Sequence, residues 1–380
     1  MKFTISSSTL SYNLQGAGKV INNKSTLPIL DCFLFSVEGN ELRVTASDGE
    51  TTLSKTLPID NLESRDGVVA IPARRIQDSI KEFAEQPLTI SIDEENWGIT
   101  VVWSSGKLTI PGITGIAYPK AQSLNEEQLT SFSITSGLLN KGITSTIFAT
   151  ADDSLRPVMN GINIALSPSD ITFVATDAHR LVRFVDSEVS AQGVSSFILP
   201  AKPAHLLRSL LPKDESAEVS VQYDHKNVIF TMDKATLVCR LIEGNFPNYN
   251  AVIPKNNDNN LSVDRLELLS ALRRVSVCSS ASSGLVHLDL NDNVLTITAQ
   301  DLDYDTSAMD SIQCEYSGDP LKIGFKSPFL LDILSNLDCS DILVKFSDAS
   351  RPGLFMPVES DENESTTSVL MLLMPLFLNA

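Results

Sequence analysis

One pattern recurs three times along this chain, at a spacing near one third of its length. Phe3-Thr-Ile-Ser-Ser-Ser-Thr-Leu10 is echoed by Phe132-Ser-Ile-Thr-Ser-Gly-Leu-Leu139, and again by Leu261-Ser-Val-Asp-Arg-Leu-Glu-Leu268, each step being 129 residues. A unit that long is a whole domain rather than one turn of a solenoid. At 380 residues the chain also exceeds what one ordinary core holds. It therefore reads as three similar domains, residues 1–121, 128–254 and 255–380, joined by the polar stretches 121–128 and 254–260. Three copies in a row point to an object built by symmetry rather than to an active-site cleft.

Two further elements repeat. The segments 34–48, 162–177 and 286–301 each alternate apolar and polar residues around a polar turn, Glu38-Gly-Asn40, Ser167-Pro-Ser-Asp170 and Asn291-Asp-Asn293. Period-two alternation around such turns predicts a hairpin. The segments 71–83, 199–211 and 325–337 read as helices with Pro near the first turn. Alternating strands follow them, such as Leu88-Thr-Ile-Ser-Ile92 and Val219-Ser-Val-Gln-Tyr223. Each domain thus combines two helices with antiparallel strands, an α+β class with helices segregated to one side of the sheets.

Charge is distributed against its own average. The net charge is −18, which argues against generic nucleic-acid binding. Yet the six predicted helical segments, 8–24, 72–85, 136–149, 202–213, 264–276 and 326–337, hold thirteen Lys and Arg against six Asp and Glu. In 72–85, Arg74 and Lys81 lie opposite the Ile76/Ile80/Phe83 face; in 264–276, Arg274 points away from the Leu268/Leu272/Val275 stripe; in 202–213, Arg208 lies outside the Leu206/Leu210 face. One basic surface made of all the helices would face a polyanion, and an acidic exterior would discourage contacts elsewhere.

Signals for chemistry are absent. No HExxH, P-loop, GxSxG or GxGxxG occurs, and the five Cys are far apart with no CxxC, as buried thiols of a reducing cytoplasm would be. No cofactor or metal is expected. Asp177-Ala-His179 is the one short carboxylate–His pair, but an Asp closes all three hairpins and the third repeat reads Asp301-Leu-Asp303 without His. A turn role fits it better than catalysis. The start has no signal-peptide pattern, and the apolar run 369–378, interrupted by Pro375, is too short to span a membrane and reads as a buried terminal strand. Ser360–Thr367 reads as a polar, acidic loop.

These features resemble the bacterial sliding clamps, the β subunits of replicative DNA polymerases, over essentially the full chain. The most specific pieces are Thr26-Leu-Pro-Ile-Leu30, Asn160-Gly161, Ala175-Thr-Asp-Ala-His-Arg-Leu181, Glu243-Gly-Asn-Phe-Pro-Asn-Tyr249, Ile253-Pro-Lys-Asn256 and Met374-Pro375. The resemblance implies a non-enzymatic, cytoplasmic protein whose three-domain crescents close head to tail as a homodimeric ring. Helices would line the hole around double-stranded DNA and contact phosphates without reading sequence. The candidate DNA-facing cations are Lys24, Arg74, Lys81, Lys141, Lys202, Arg208 and Arg274. Ring closure would use Leu108 and Ile110 of the first domain with Val277 and Cys278 of the third.

The family's partner pocket lies between the second and third domains and takes short peptides from the polymerase, the clamp loader and repair proteins. Matching positions are Met159, Thr176, Ala178, His179, Arg180, Leu181, Pro247, Val252, Met374, Pro375 and Leu376. The sequence departs from the family pattern at Ala178, where Gly is usual, at Ala251, where Arg is common, at Val158, where an aromatic is frequent, and in the extension Phe377–Ala380. Competing readings are an enzyme on a repeated scaffold, which needs a polar constellation; a repeat protein that binds proteins without DNA, which predicts no basic face; and a decayed paralogue without the pocket.

Overall fold

The computed structural model describes residues 1–22, 27–189, 191, 193–358 and 366–376. The first repeat supplies β1 (Lys2–Ser6), α1 (Ser7–Gly18), β2 (Cys32–Glu38), β3 (Glu41–Ser47), β4 (Thr51–Pro58), β5 (Asp60–Asn61), β6 (Gly67–Pro72), α2 (Ala73–Ile80), β7 (Pro87–Ile92), β8 (Gly98–Trp103) and β9 (Gly106–Pro111), with β10 (Ile113–Thr114) leading out. The second supplies β11 (Thr130–Thr135), α3 (Ser136–Thr146), β12 (Gly161–Leu166), β13 (Ile171–Thr176), β14 (Arg180–Asp186), β15 (Ser195–Pro200), α4 (Ala201–Leu210), β16 (Glu218–Tyr223), β17 (Asn227–Met232) and β18 (Ala235–Arg240). The third supplies β19 (Asn259–Asp264), α5 (Arg265–Ser276), β20 (Leu285–Asn291), β21 (Val294–Asp301), β22 (Thr306–Gln313), β23 (Glu315–Ser317), β24 (Leu321–Lys326), α6 (Ser327–Asn336), β25 (Asp341–Phe346), β26 (Gly353–Pro357) and β27 (Thr367–Leu373).

Local chemistry repeats with the elements. The first helix of each repeat is capped by a side-chain oxygen at equivalent positions: Ser6 accepts from Thr9 N at 3.2 Å, Thr135 from Leu138 N at 3.4 Å and Asp264 from Glu267 N at 2.6 Å. Each cap satisfies one orphan amide of the first turn. The predicted hairpins form as expected. The β20/β21 turn has Asp292 and Asn293 both at positive φ, 49° and 63°, the signature of a type I′ turn that matches strand twist.

By compactness the chain forms two units, residues 1–140 with 202–241, and 141–201 with 242–380, so the division passes through the middle repeat. The first unit holds the sheet β5-β1-β7-β8-β9 and a nine-stranded sheet β10-β6-β2-β3-β4-β18-β17-β16-β11. The second holds a nine-stranded sheet β15-β12-β13-β14-β27-β26-β25-β19-β23 and the sheet β22-β21-β20-β24. Every pairing is antiparallel, as in the pairs β4·β18 and β14·β27 that join successive repeats. Apolar helix faces, such as Leu268, Leu272 and Val275 of α5 with Leu330, Ile333 and Leu334 of α6, pack into the second unit's core beside Phe325 and Phe346.

Several element boundaries differ from the sequence expectation: α2 stops at Ile80 rather than 85 and α4 at Leu210 rather than 213. The helix expected over 8–24 ends at Gly18, because two glycines weaken its last turn and Val20 N turns back to Ala17 O at 3.1 Å. A β-carbon at Gly18 would also meet Gln77, whose amide caps Leu14 O at 2.8 Å. The apolar run 369–378 is strand only to Leu373; Met374 N then turns to His179 O at 2.8 Å and Pro375 cannot donate. Lys24, most of the acidic loop and the extension Phe377–Ala380 lie outside the described residues. No helix among the described residues is long and apolar enough to cross a membrane.

Candidate functional site

The strongest site candidate lies on the second unit's nine-stranded sheet. Side chains on a strand alternate between faces. On the helix-packed face, Ala175, Val182, Phe355 and Met371 belong to the main core. On the opposite face, Val174, Leu181, Leu372 and Leu354 come from four consecutive strands, β13, β14, β27 and β26, and form a separate buried cluster. Phe246, Tyr249, Ile253 and Leu370 pack against it, the first three from the segment that leads out of the second repeat. Val252 is 53% exposed and Met374 39% exposed beside this cluster. Exposed apolar side chains near a small satellite core mark this face as a candidate slot for hydrophobic side chains.

The equivalent face of the first unit differs. Displacing Val174 and Leu181 by the 129-residue repeat gives Thr45 and Thr52. There the same face is closed by hydroxyl pairs, Thr45 with Ser54 at 2.9 Å and Ser47 with Thr52 at 2.9 Å. The repeated fold therefore offers an apolar surface at one junction and a satisfied polar one at the other.

Beside the slot stands the loop Asp177–Arg180. Asp177 Oδ1 accepts from His179 N and Arg180 N, both at 2.9 Å. Asp48 accepts from Thr51 N at 2.8 Å and Asp301 from Asp303 N at 2.9 Å, so the carboxylate closes a turn in all three repeats, as expected from the sequence. Ala178 sits at φ +74°, a conformation that favours glycine, so the departure noted there puts a β-carbon where the backbone is left-handed. Arg180 is 8% exposed. Its guanidinium donates to Asp177 at 3.0 Å, Asp332 at 2.5 Å and Phe148 O at 2.7 Å, and its central carbon lies 4.7 Å from the Phe329 ring centre. His179 stacks on Phe329 from another side, centroids 5.8 Å apart. Arg180 thus braces the loop from the helix-packed face, while His179 is exposed.

The expected residues are brought together unevenly. Thr176, Leu181 and Met374 converge through Thr176 Oγ1 to Arg180 O at 2.8 Å, the Leu181–Leu372 register and the Met374–His179 bond. Pro247 lies half-buried between Phe246 and Asn248, and Met159 on the turn Pro157–Met159. Pro375 is buried, and Leu376 N donates to Gly324 O of β24 at 2.8 Å. Sequence reasoning missed Val174, Leu354, Leu372 and the aromatics Phe246 and Tyr249. A signal was present: β13, Ile-Thr-Phe-Val-Ala-Thr, is buried at all six positions, and near-continuous apolar strands mark two covered faces.

The helices carry eight Lys and Arg against three Asp and Glu within their bounds. Arg74 and Arg208 are exposed. Lys141 lies 3.3 Å from Thr367 Oγ1. Three candidates are ion-paired inside the chain: Lys81 with Asp78 at 2.8 Å, Lys202 with Asp48 at 2.7 Å and Arg274 with Asp310 at 2.6 Å. Arg265, by contrast, spends its guanidinium on Cys339 O and Leu334 O.

Among the described residues each of the four sheets is open, and β9 and β22 are two of the strands that end them. Leu108 is half-buried and Ile110 buried on β9. Near the other edge, Val277 caps α5 and is 83% exposed, Cys278 is half-buried, and Met309 of β22 is 73% exposed.

Comparison with known proteins agrees with this architecture. Residues 1–122, 133–248 and 250–374 match the family profiles of the N-terminal, central and C-terminal domains of the DNA polymerase III beta subunit. The beta sliding clamp of Pseudomonas aeruginosa is 28% identical over 96% of this chain and 98% of its own length. That of Vibrio cholerae is 28% identical over 98% of this chain and 99% of its own. Among solved structures, a P. aeruginosa sliding clamp bound to griselimycin superposes with a TM-score of 0.92 at 27% identity, covering all of both chains. A Bacillus subtilis polymerase sliding clamp, 22% identical with a TM-score of 0.90, shares the fold. Matched in three consecutive domains, the chain belongs to the DNA polymerase III beta subunit family, the beta sliding clamps, which are non-catalytic processivity factors of DNA replication.

Proposed function

We propose that two copies of this chain close head to tail into a ring around duplex DNA, and that the apolar slot seats short peptides of the replicative polymerase, the clamp loader and repair proteins. The observation that supports the ring is the repeat position of two edge strands, β9 and β22. Within the chain, the last strand of one repeat pairs with the third hairpin strand of the preceding one, as β18 does with β4 and β27 with β14. By repeat position β9 is the counterpart of β18 and β27, and β22 the counterpart of β4 and β14. The chain supplies neither with its partner; a second copy supplies both. A head-to-tail contact that closes after two copies gives a ring rather than a filament.

Encirclement accounts for the lack of a catalytic constellation, since topological linkage keeps the polymerase on its template. The helix cations Arg74, Lys141 and Arg208, with Lys24, supply a sequence-independent attraction to phosphate that permits sliding. Lys81, Lys202 and Arg274 contribute less, because each already faces an acid. In the slot, Leu181, Val252, Pro247 and Met374 receive apolar side chains and His179 offers a polar edge, in the manner of a peptide laid into a groove.

The test is mass in solution. Leu108→Asp or Val277→Asp is expected to turn dimers into monomers by light scattering; an unchanged dimer mass rejects the closure. Salt-sensitive retention on circular but not linear DNA, in the presence of a loader, checks encirclement itself.

A further inference from the structure

The Arg180 cluster has a counterpart in the first unit, and there it is open. The 129-residue repeat replaces Arg180 by Thr51, Asp177 by Asp48 and Phe148 by Lys19; aligning the starts of α6 and α4 replaces Phe329 by Pro203 and Asp332 by Leu206. The backbone context is shared: Met374 N to His179 O has its counterpart in Arg240 N to Glu50 O at 2.9 Å. In the second unit a guanidinium fills the centre of the cluster. In the first unit the threonine side chain stops short, and a cavity of about 520 Å³ remains, lined by Lys19, Val20, Thr51, Lys202, Pro203 and Leu206. That volume falls within the range of small-molecule sites.

The four replacements also invert the charge, Asp48 being kept. The second unit's cluster, with two carboxylates and two aromatic faces, holds a cation. In the first unit one carboxylate has become Leu206, an aromatic has become Lys19, and the remaining Asp48 is already held by Lys202 at 2.7 Å. Lys55 stands close enough to Lys19 that, beyond its own burial, the neighbouring charge further lowers its pKa, which marks a local excess of positive charge. His205, also on the lining, has its pKa lowered by burial and then by Arg208, so it presents a neutral imidazole that can donate or accept.

We propose that this cavity binds a small amphipathic anion: one carboxylate or phosphate at Lys19, with Lys202, which also holds Asp48, beside it, and an apolar or flat body against Val20, Pro203 and Leu206. The site is distinct from the peptide slot and does not depend on ring closure.

The experiment titrates the full-length protein by calorimetry with 1-naphthoate, with a deoxynucleoside 5′-monophosphate and with inorganic phosphate. One site per chain for either organic anion, with phosphate alone at least tenfold weaker, is expected. Thr51→Arg should place a guanidinium where Arg180 stands in the second unit and weaken binding at least tenfold, and Lys19→Glu should do the same without filling space. Preference for the nucleotide over the naphthoate would assign the anion to a nucleotide source, and the reverse preference to a carboxylate. No binding by either organic anion, or unchanged binding by Thr51→Arg and Lys19→Glu, overturns the proposal. If Thr51→Arg lowers the melting midpoint, Lys19→Glu decides. Displacement of the bound probe by duplex DNA in step with phosphate occupancy would make the cavity part of the DNA surface and overturn a separate ligand site.

Discussion

Replacing Arg180 by Met keeps most of the stem and removes only the charged fork. The side chain is 9% exposed and Asp177 13%, so that pair is buried, whereas Asp332 is 51% exposed. Breaking a buried pair by removing one partner typically costs about 3–5 kcal/mol, because the other charge stays uncompensated. Asp177 keeps its two backbone amide donors, so the lower end applies, about 3 kcal/mol, including the Phe148 carbonyl left without a donor. Asp332→Asn removes only the exposed partner and is expected to cost under about 1 kcal/mol. Urea unfolding followed by fluorescence and circular dichroism reads both as shifts in midpoint at unchanged slope. Peptide binding to Arg180→Met should weaken as well, since the His179 carbonyl that holds Met374 N belongs to the same loop. A loss below about 1 kcal/mol for Arg180→Met, or equal losses for the two variants, would refute the assignment of Arg180 as a buried brace.

Ala178→Gly relieves a left-handed residue at φ +74° and should gain about 0.5–1 kcal/mol after the added chain entropy, read by the same unfolding assay; a loss would contradict the strain. Shortening the chain before Met374 is expected to abolish peptide binding measured by fluorescence anisotropy, and full binding would place the slot elsewhere. Arg208→Ala should lower the slope of log affinity against log salt by about 0.9 if it meets one phosphate. Burial pushes Tyr118 up to about 12, so the unfolded chain loses this proton first as pH rises past 10. Stability should therefore fall between pH 10 and about 12, and Tyr118→Phe should flatten that fall; a fall unchanged in the variant would assign it to other groups.

What was legible in the sequence is what local chemistry fixes. Asp292-Asn293 and Gly39 announce their turns because few residues tolerate positive φ, and the triplicated caps Ser6, Thr135 and Asp264 sit where helices begin. The end of α1 was not legible, because Lys19 continues a plausible polar face while the termination depends on Gly18 meeting Gln77 across the fold. The basic helix surface was read too generously for a similar reason. Lys202 finds Asp48 from 154 residues away, and no helical wheel shows that partner. The proposed slot was read from residues such as His179 and Met374. Its floor was missed because Leu354 and Leu372 become neighbours of Val174 only once β26, β27, β14 and β13 are placed side by side.

The threonine-faced junction sets a valency. With Thr45 and Thr52 where Val174 and Leu181 stand in the other unit, the proposed slot would give each chain one seat for a client, and the proposed ring two. A client with a single peptide leaves the second seat vacant for a rival to approach before the first departs. A client with two peptides gains avidity only if its linker spans both seats, with an effective concentration set by that linker's length. Traffic between clients on one ring is therefore governed by linker reach as much as by the affinity of any single peptide.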